Sequence, residues 1–326
     1  MQIILFRHGD FYDWETNTQV NFDAVRSAVT IGSYDGVHLG HRAILARLVK
    51  SAKKQGLRSV LITFEPHPRL VLRREKKRQL KLITTFEEKK SLLAPLGLDV
   101  VLVLEFDKAF SEIPAQTFVK DILVKRVGLA DIVIGYDHNF GKDRQGTIET
   151  LNSLSQLYGF TVEETAEQLV HGKHVSSTII RGLLEAGEID EVNHLLGRPF
   201  RLTGKVVEGF KVGRTIGFPT VNLELTNPYK LIPKSGVYVG DVSINGVCYR
   251  SMMNIGFKPT VTNEHKLSIE AHILNFDKDL YGQTLSFALI YRIRDEIKFV
   301  NLQALKTQLE SDKRVAASFK REFTCF

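Results

Sequence analysis

The sequence is poor in cysteine and contains no long apolar run. Two of its 326 residues are cysteine, Cys248 and Cys325, and their spacing matches no metal-ligand pattern. We therefore expect no disulfide framework, and a reducing compartment suits such a chain. No apolar stretch reaches the length that crosses a bilayer, and the first residues lack the basic leader of a signal peptide. These absences predict a cytoplasmic protein without a membrane partner.

Two further absences concern nucleotides and nucleic acids. The P-loop pattern GxxxxGK[ST] does not occur in the chain. The net charge is +7, a modest excess that suits nucleic acid or phosphorylated small molecules equally. The densest basic run, residues 73–78, lacks the interleaved aromatic side chains of a groove that binds single strands. We interpret this run as a solvated loop or helix edge, with a phosphate-steering role as the alternative, and expect no nucleic-acid partner.

The order of the apolar segments predicts two domains. From Thr30 to about Gly187, strand-like runs alternate with amphipathic helical runs, which is typical of a mainly parallel sheet covered by helices. After residues 197–200, short β-branched and aromatic runs alternate with turn residues, and an amphipathic helix follows. The pattern predicts an α/β, Rossmann-like domain over 1–187. It predicts an antiparallel β-barrel or sandwich with a terminal helix over 188–326.

The most informative segment is residues 32–41, with the sequence Gly-Ser-Tyr-Asp-Gly-Val-His-Leu-Gly-His. It follows an apolar strand and leads into an amphipathic helix, so His38 and His41 lie at a helix N-terminus on either side of Gly40. The free N–H groups and positive dipole end of a helix favour phosphate. Imidazoles can donate to crowded phosphoryl oxygens. The alternative is a common glycine-rich turn that carries two incidental histidines.

Three later segments fall where a nucleotide site would need them. Residues 63–68 and 135–146 each follow a strand, and residues 175–181 open a helix. Ligands of parallel sheets bind beyond the carboxyl ends of the strands. We therefore expect the turn at 32–41 and the first two segments to share one crevice. Alternatively, residues 63–68 form a simple rigid turn, and Ser176 or Ser177 only caps a helix.

Two features of the second half point to chemistry. Residues 204–222 are glycine-rich and basic, and they end in Pro219-Thr220-Val221-Asn222. Hydroxyl and amide oxygens of this kind suit a hard cation, although glycines also serve the corners of a barrel. Glu270 lies in an apolar strand whose neighbouring residues point to the opposite face. It is either a solvent-facing strand residue or a base within reach of a substrate hydroxyl.

Taken together, these segments resemble the prokaryotic bifunctional riboflavin kinase/FMN adenylyltransferase family. The first half is also similar to the wider HxGH nucleotidyltransferase superfamily. The likeness covers nearly the whole chain in two ordered blocks. It implies that the barrel phosphorylates riboflavin to FMN with ATP, and that the α/β domain adenylylates FMN to FAD with release of pyrophosphate. It further implies Mg²⁺ with ATP, and we expect a monomer or weak self-association.

The resemblance assigns roles to residues of the first half. Catalysis would fall to His38, His41 and Arg181. Nucleotide and phosphate contacts would come from Gly32, Tyr34, Asp35, Gly36, Gly40, Ser176, Ser177 and Thr178. Flavin contacts would come from Glu65, Pro66, His67, Asp137, Asn139 and Phe140. The chain departs from the family at Ile179, where many relatives carry a basic residue, and at His138, where an aromatic residue is usual.

The resemblance also assigns roles in the second half. Glu270 would be the general base toward the riboflavin 5′-hydroxyl, and Thr220 and Asn222 would bind Mg²⁺. The ATP would contact Gly213, Arg214, Gly217 and Pro219, and Val221 replaces a usual alanine. Arg294 and Glu296 would border the flavin or form a structural ion pair. A rival hypothesis is a nucleotidyltransferase for another acceptor with a degenerate second domain, but Pro-Thr-x-Asn and Glu270 are intact. A nucleic-acid-binding module is suggested by charge alone.

Overall fold

A computed structural model describes residues 1–72, 79–135, 140–142, 145–166, 169–170, 172–209, 212–259 and 265–319. The chain divides into two compact units, Met1–Ser176 and Ser177–Phe326, which we call the first and second units. The boundary expected at 187/188 from the sequence stays a prediction. Both predicted fold classes are confirmed, since the first unit has a mainly parallel sheet and the second has a closed antiparallel barrel.

The first unit is built on a seven-stranded sheet with the order β2-β1-β5-β4-β3-β6-β7. Its strands, and a separate short pair, are β1 (Gln2–Arg7), β2 (Asp10–Asp13), β3 (Ser27–Ile31), β4 (Arg58–Glu65), β5 (Val100–Glu105), β6 (Leu129–Gly135), β7 (Thr161–Thr165), β8 (Leu169–Val170) and β9 (Lys173–His174). All neighbours in the large sheet are parallel except β1 and β2, which form an antiparallel hairpin at one edge.

Helices connect these strands and cover both faces of the sheet. They are α1 (Leu39–Gln55), α2 (Pro68–Val71), α3 (Phe86–Leu93), α4 (Lys108–Ser111), α5 (Ala115–Thr117) and α6 (Ile148–Tyr158), with a 3-10 turn at Ala94–Leu96 and a π-type helix at Phe118–Val127. Thr85 and Glu88 form the capping box that their spacing predicts at the start of α3.

The central strands are buried on both faces because they read as continuous apolar runs. In β5, Val100, Leu102 and Leu104 pack into one core, while Val101 and Val103 pack into the other with residues of α1. This alternation follows from the two-residue period of a strand. Strands β4, β3 and β6 are consecutive neighbours in the sheet, so the segments that follow them emerge side by side.

The second unit is built on a closed barrel with the order β10-β11-β14-β13-β12-β15. Its strands are β10 (Phe200–Val207), β11 (Val221–Leu225), β12 (Gly236–Ile244), β13 (Val247–Pro259), β14 (His265–Ile273) and β15 (Thr284–Arg294). The dipeptide Asn245-Gly246 is a sequence typical of tight hairpins, and it joins β12 to β13 with the positive φ at both residues that such a turn requires. The sequence left barrel and sandwich open, and the closure between β10 and β15 decides for the barrel.

Helices of the second unit are α7 (Ser177–Ala186), α8 (Ile189–Leu196), α9 (Val212–Thr215) and α10 (Leu302–Ser318). Buried Asn193 joins α8 to the barrel, because its side chain donates to the carbonyl of Leu289 at 2.9 Å and accepts from the N–H of Phe200 at 2.7 Å. The terminal helix α10 packs on the barrel through Leu309 and Ala316, whereas Leu302 at its start is exposed.

Two expectations, which concern disulfides and membrane-spanning helices, can be compared with the structure. The sequence predicts no disulfide framework, yet Cys248 is disulfide-bonded. In the described part of the chain, no helix combines the length and apolar character needed to span a membrane.

Candidate active sites

The turn after β3 has a strained backbone that other parts of the first unit hold in place. Tyr34, Gly36 and Val37 have φ values of +47°, +91° and +38°. The left-handed region is uncommon for side-chain-bearing residues and rare for a β-branched one such as Val37. Such conformations persist where the surrounding structure fixes them, and they cluster at functional sites. The segment that the sequence singles out is therefore also structurally unusual.

His38 and His41 lie together at the start of α1. Their rings stack with centroids 3.5 Å apart and an angle of 17° between planes. His38 is the N-cap of α1, and its Nδ1 accepts from the N–H of His41 at 3.3 Å. An accepting Nδ1 leaves the proton on Nε2, which is then a hydrogen-bond donor. The first turn of α1 carries no acidic side chain, so the positive helix end is not offset there.

Gly40 and Tyr34 fit closely around these rings. A Cβ on Gly40 would lie 3.2 Å from His38 Nδ1 and 3.6 Å from the carbonyl oxygen of Val175. The segment before Ser176 therefore runs past the His38–His41 pair within the first unit. The ring of Tyr34 lies 4.8 Å from that of His41, and its hydroxyl bonds Thr30 Oγ1 at 2.7 Å. Burial raises the pKa of Tyr34, so the phenol stays neutral.

Asp35 links the turn to the segment before α3. It is 1% exposed, and its carboxylate accepts the N–H groups of Ile83 at 3.1 Å and Thr84 at 2.9 Å. Thr84 Oγ1 in turn accepts the N–H of Gly36 at 2.9 Å. A Cβ on Gly36 would lie 3.2 Å from Ile83, which explains the glycine. The structure thus gives Asp35 a structural role, and its contact with nucleotide stays a prediction.

The predicted flavin residues of the first unit have different surroundings. Glu65 ends β4, and burial raises the pKa of its carboxyl, while Lys89 opposes that rise. The Glu65–Pro66 peptide bond is cis. His67 caps α2, since its Nδ1 accepts from the N–H of Arg69 at 3.1 Å. Phe140 is buried in the core with Phe118. Asp137, His138 and Asn139 lie outside the described residues.

Residues 175–181, which include the phosphate contacts implied by the resemblance, cross the division of the chain into two units. Ser176 ends the first unit, and Ser177 begins α7 of the second. Thr178 and Ile179 are exposed on α7, and Arg181 is half-buried. A helix begins where the hydroxyl pattern predicts one. The contribution of Ser176, Ser177, Thr178 and Arg181 to phosphate binding stays a prediction.

Glu270 lies among polar side chains on the barrel wall. Asn222 of β11 is its register partner on one side and Asn254 of β13 on the other. Ser268 Oγ donates to Glu270 Oε1 at 2.9 Å, and Thr220 Oγ1 lies 3.5 Å from Oε2. The apolar neighbours Ile269 and Ala271 are buried, as the strand period requires. The barrel thus brings Thr220, Asn222 and Glu270 together, although they belong to separate sequence motifs.

The glycine-rich loop before β11 packs tightly against this cluster. A Cβ on Gly209 would lie 2.1 Å from Asn222 Nδ2, and one on Gly213 would lie 2.2 Å from the carbonyl oxygen of Phe218. Gly217 has φ +87° and open space beside it, while Arg214 is exposed. His272 Nδ1 bonds the carbonyl of Pro219 at 2.8 Å. Burial lowers the pKa of His272, so the ring is neutral and donates this proton.

Arg294 and Glu296 do not pair with each other. Arg294 forms a two-pronged ion pair with buried Asp312 of α10, with nitrogen–oxygen distances of 3.1 and 2.7 Å. The alternative of an ion pair between Arg294 and Glu296 is therefore wrong. Asp312 is recognised as the partner of Arg294 only once α10 is placed on the barrel. Glu296 instead accepts from Asn254 Nδ2 at 3.4 Å. Flavin contact by either residue stays a prediction.

Several residues that shape both sites were missed from the sequence. Ser268 and His272 in the barrel gave no signal beyond an ordinary strand pattern. Thr84 and Lys89 fix the turn of the first unit. Lys89 did leave a signal, since it occupies a buried position of α3 between Phe86 and Leu93. A lysine at an apolar position of a helical repeat is unusual, because lysine is rarely buried.

Comparison with known proteins gives a consistent result over both units. The FAD synthetase family model matches residues 21–179, and the riboflavin kinase family model matches residues 196–320. The bifunctional riboflavin kinase/FMN adenylyltransferase of Listeria monocytogenes is 37% identical over 295 residues, which cover 90% of this chain and 93% of the relative. The protein of the same description from Pseudomonas fluorescens is 38% identical over 287 residues, covering 88% and 91%.

A solved structure is also similar along its whole length. The crystal structure described as a macrolide-efflux protein from Streptococcus pneumoniae matches with a TM-score of 0.86 and 30% identity. The match covers 98% of this chain and 100% of that one.

Proposed function

This chain belongs to the bifunctional riboflavin kinase/FMN adenylyltransferase family, and from that premise we propose how its two sites divide the work. The second unit transfers the γ-phosphoryl group of ATP to riboflavin and forms FMN. The first unit transfers the adenylyl group of a second ATP to FMN and forms FAD and pyrophosphate. The observation that carries the proposal is that His38 and His41 lie together in the first unit, and that Thr220, Asn222 and Glu270 lie together in the second.

Adenylyl transfer needs no covalent nucleophile from the protein. A phosphate oxygen of FMN attacks the α-phosphorus of ATP, and the bond to the leaving pyrophosphate breaks. The protein must align two anions and stabilise the charge that builds on the α-phosphoryl oxygens. His38 Nε2–H and the imidazole of His41 are held by stacking at the positive end of α1. We assign them to that stabilisation, and the resemblance gives Arg181 a catalytic role as well.

Phosphorylation of riboflavin needs a base for an alcohol. The 5′-hydroxyl oxygen attacks the γ-phosphorus, its proton passes to the Glu270 carboxylate, and ADP leaves. The contacts with Ser268 and Thr220 hold this carboxylate in one orientation. A glutamate that only faces solvent from a strand would not require such contacts. We therefore favour the catalytic role of Glu270 over that of a solvent-facing residue.

Magnesium fits the donor set of the second unit. Thr220 and Asn222 supply neutral oxygens, and the phosphates and waters would complete the shell of such a hard cation. Groups of three or more His, Cys, Asp or Glu residues that could hold a metal are absent from the described residues, so phosphate ligands would be needed. When bound, the cation neutralises phosphate charge. Residues Gly213, Arg214, Gly217 and Pro219 would hold the remainder of ATP.

The other elements of the proposal concern the setting of the enzyme. ATP is the donor in both steps, riboflavin and FMN are the acceptors, and FAD is the final product. We propose a cytoplasmic enzyme that is monomeric or weakly self-associating. The remaining assignments follow the resemblance, namely Gly32, Tyr34, Asp35, Gly36 and Gly40 near the nucleotide, and Glu65, Pro66, His67, Asp137, Asn139 and Phe140 near the flavin.

Two parallel incubations test the proposal. The purified protein receives ATP and Mg²⁺ with riboflavin in one reaction and with FMN in the other, and the flavins are separated by chromatography. We expect FMN and then FAD in the first reaction, and FAD with pyrophosphate in the second. A folded protein that converts neither flavin would overturn the proposal. Conversion of FMN alone would instead support the rival hypothesis of a degenerate second unit.

A further inference from the structure

A buried lysine, Lys89, contacts the turn at residues 32–41, which we call the histidine-bearing turn. This lysine has no part in the mechanism above. Lys89 is 4% exposed and lies on the inner face of α3 with Phe86 and Leu93. Burying an ammonium group costs free energy unless polar groups accept its hydrogen bonds. The groups that accept hydrogen bonds from the Lys89 ammonium should therefore explain why it is buried.

The acceptors of Lys89 join three parts of the first unit. Its Nζ donates to the carbonyl oxygen of Ser33 at 2.7 Å and lies 3.3 Å from Thr63 Oγ1. Thr63 Oγ1 also donates to the Ser33 carbonyl at 3.3 Å. Ser33 belongs to the turn and Thr63 to β4. The ammonium therefore ties α3, the end of β4 and the start of the turn at one point.

Charges around Lys89 support the same picture. Burial lowers the pKa of Lys89, while the carboxylates of Asp35 and Glu65 act in the opposite direction and favour the ammonium. Burial raises the pKa of Glu65; Lys89 opposes that rise, and Asp35 and Glu87 add to it. The lysine thus offsets two acids, buried Asp35 in the turn and half-buried Glu65 at the end of β4. Asp35 itself bonds the backbone just before α3.

We propose that Lys89 is a positioning residue for adenylyl transfer, which rests on the function proposed above. Its ammonium fixes the carbonyl of Ser33 and so sets the turn that carries His38 and His41. The left-handed backbone at Tyr34 and Val37 needs such an external hold, because neither residue favours that conformation by itself. Without the ammonium, the turn relaxes and the imidazoles leave the position in which they meet the α-phosphoryl group.

The expected defect is one of rate rather than of binding. A displacement of about 1 Å at a catalytic group can lower a rate by about a hundredfold. Substrate contacts spread over the rest of the site are little changed, so KM for ATP and for FMN should stay within about threefold. A lysine that only stabilises the fold would behave differently. Its loss would lower the number of folded molecules and leave kcat per folded site unchanged.

The test compares Lys89→Met and Lys89→Arg with the wild type and with Lys230→Met. Lys230 is 3% exposed in the second unit, so its substitution removes an equally buried ammonium far from the turn in sequence. The fraction of competent sites is measured by FMN titration. Folding of the first unit is followed by the fluorescence of Trp14, the single tryptophan, whose ring lies 4.3 Å from that of Phe86. Kinase activity of the second unit is assayed in the same preparations.

We expect Lys89→Met to lower kcat for FAD formation per competent site by about tenfold to a hundredfold, with kinase activity retained. Lys89→Arg should restore part of this loss because it keeps the charge, and Lys230→Met should leave FAD formation unchanged. A kcat per competent site equal to that of the wild type in Lys89→Met would overturn the proposal.

If Lys89→Met does not fold, the variant Thr63→Val tests the proposal instead. It removes only the hydroxyl that shares the Ser33 carbonyl, and a several-fold fall in kcat at unchanged KM supports the proposal, whereas an unchanged kcat contradicts it. Failure of the wild type to form FAD would instead count against the proposed function itself.

Discussion

The two units assemble their candidate sites by different physical means. In the first unit, the residues lie on loops that leave neighbouring parallel strands and at the start of the helix that follows, and buried polar groups such as Asp35 and Lys89 contact those loops. In the second unit, Glu270, Asn222 and Asn254 stand on the strands themselves, side by side through the register of the barrel. A loop-borne site depends on anchors distant in sequence, whereas a strand-borne site inherits its geometry from the backbone hydrogen bonds.

This contrast predicts that damage in one unit should spare the other. The units are compact, and each keeps its own core. Substitutions in the described cores and sites can therefore be assigned to one activity at a time, which gives each variant an internal control.

The largest effect is expected for Glu270→Gln. Removing the base should lower FMN formation by about 10²- to 10⁴-fold, because the amide cannot accept the hydroxyl proton. FAD formation from supplied FMN should continue at the wild-type rate. Both rates are measured by chromatography of the flavins. Loss of both activities in a folded variant would contradict separate sites.

The next largest effect is expected for His38→Ala. Loss of one donor to the developing charge should cost about 2.7–4 kcal/mol, or about 10²- to 10³-fold in kcat for FAD formation. Riboflavin phosphorylation should be unaffected. The same assay applies, with His8→Ala as the control, since His8 is an exposed histidine of the same unit. A near-normal rate of FAD synthesis in His38→Ala would defeat the assignment.

A smaller effect is expected for Ser268→Ala. The variant removes the hydroxyl that donates to Glu270 Oε1, a bond to a charged group worth about 1.5–3 kcal/mol at most. We expect riboflavin phosphorylation to fall by about tenfold, with an unchanged KM for ATP. Thr203→Val is a matched control, because its hydroxyl bonds Ser286 at 3.0 Å elsewhere in the barrel. Equal losses in the two variants would show a general effect on the barrel.

The smallest effect is expected in how the free energy of unfolding of the first unit depends on pH. Burial raises the pKa of Glu65 above its ordinary value of 4.5, so the unfolded chain ionises first as the pH rises. The free energy of unfolding should therefore fall as pH rises from that value through the pKa of the folded state. Glu65→Gln should remove this part of the dependence. Unfolding followed by Trp14 fluorescence from about pH 4 to about pH 7 measures it, and identical slopes would refute it.

The same contrast explains which elements the sequence could predict. The apolar runs between helical repeats predict strands β3 to β7, because continuous apolar runs are typical of parallel sheets. Strands β1 and β2 were not foreseen, because β1 leaves the chain order and pairs with β5. The histidine motif was found because its residues are adjacent in sequence. The cluster around Glu270 was found only as separate motifs whose meeting depends on the barrel register.

By itself, the sequence determined an α/β first half and an antiparallel β second half, the histidine-bearing turn at a helix start, and the Pro-Thr-x-Asn and Glu270 motifs, because local spacing and apolar periodicity encode them. Only the tertiary structure decided how these parts are held. It placed Asp35 against Ile83 and Thr84, Lys89 under Ser33, Ser268 beside Glu270, and Asp312 rather than Glu296 against Arg294. Buried polar groups must find partners wherever the chain brings them, and most of those partners lie far away in sequence.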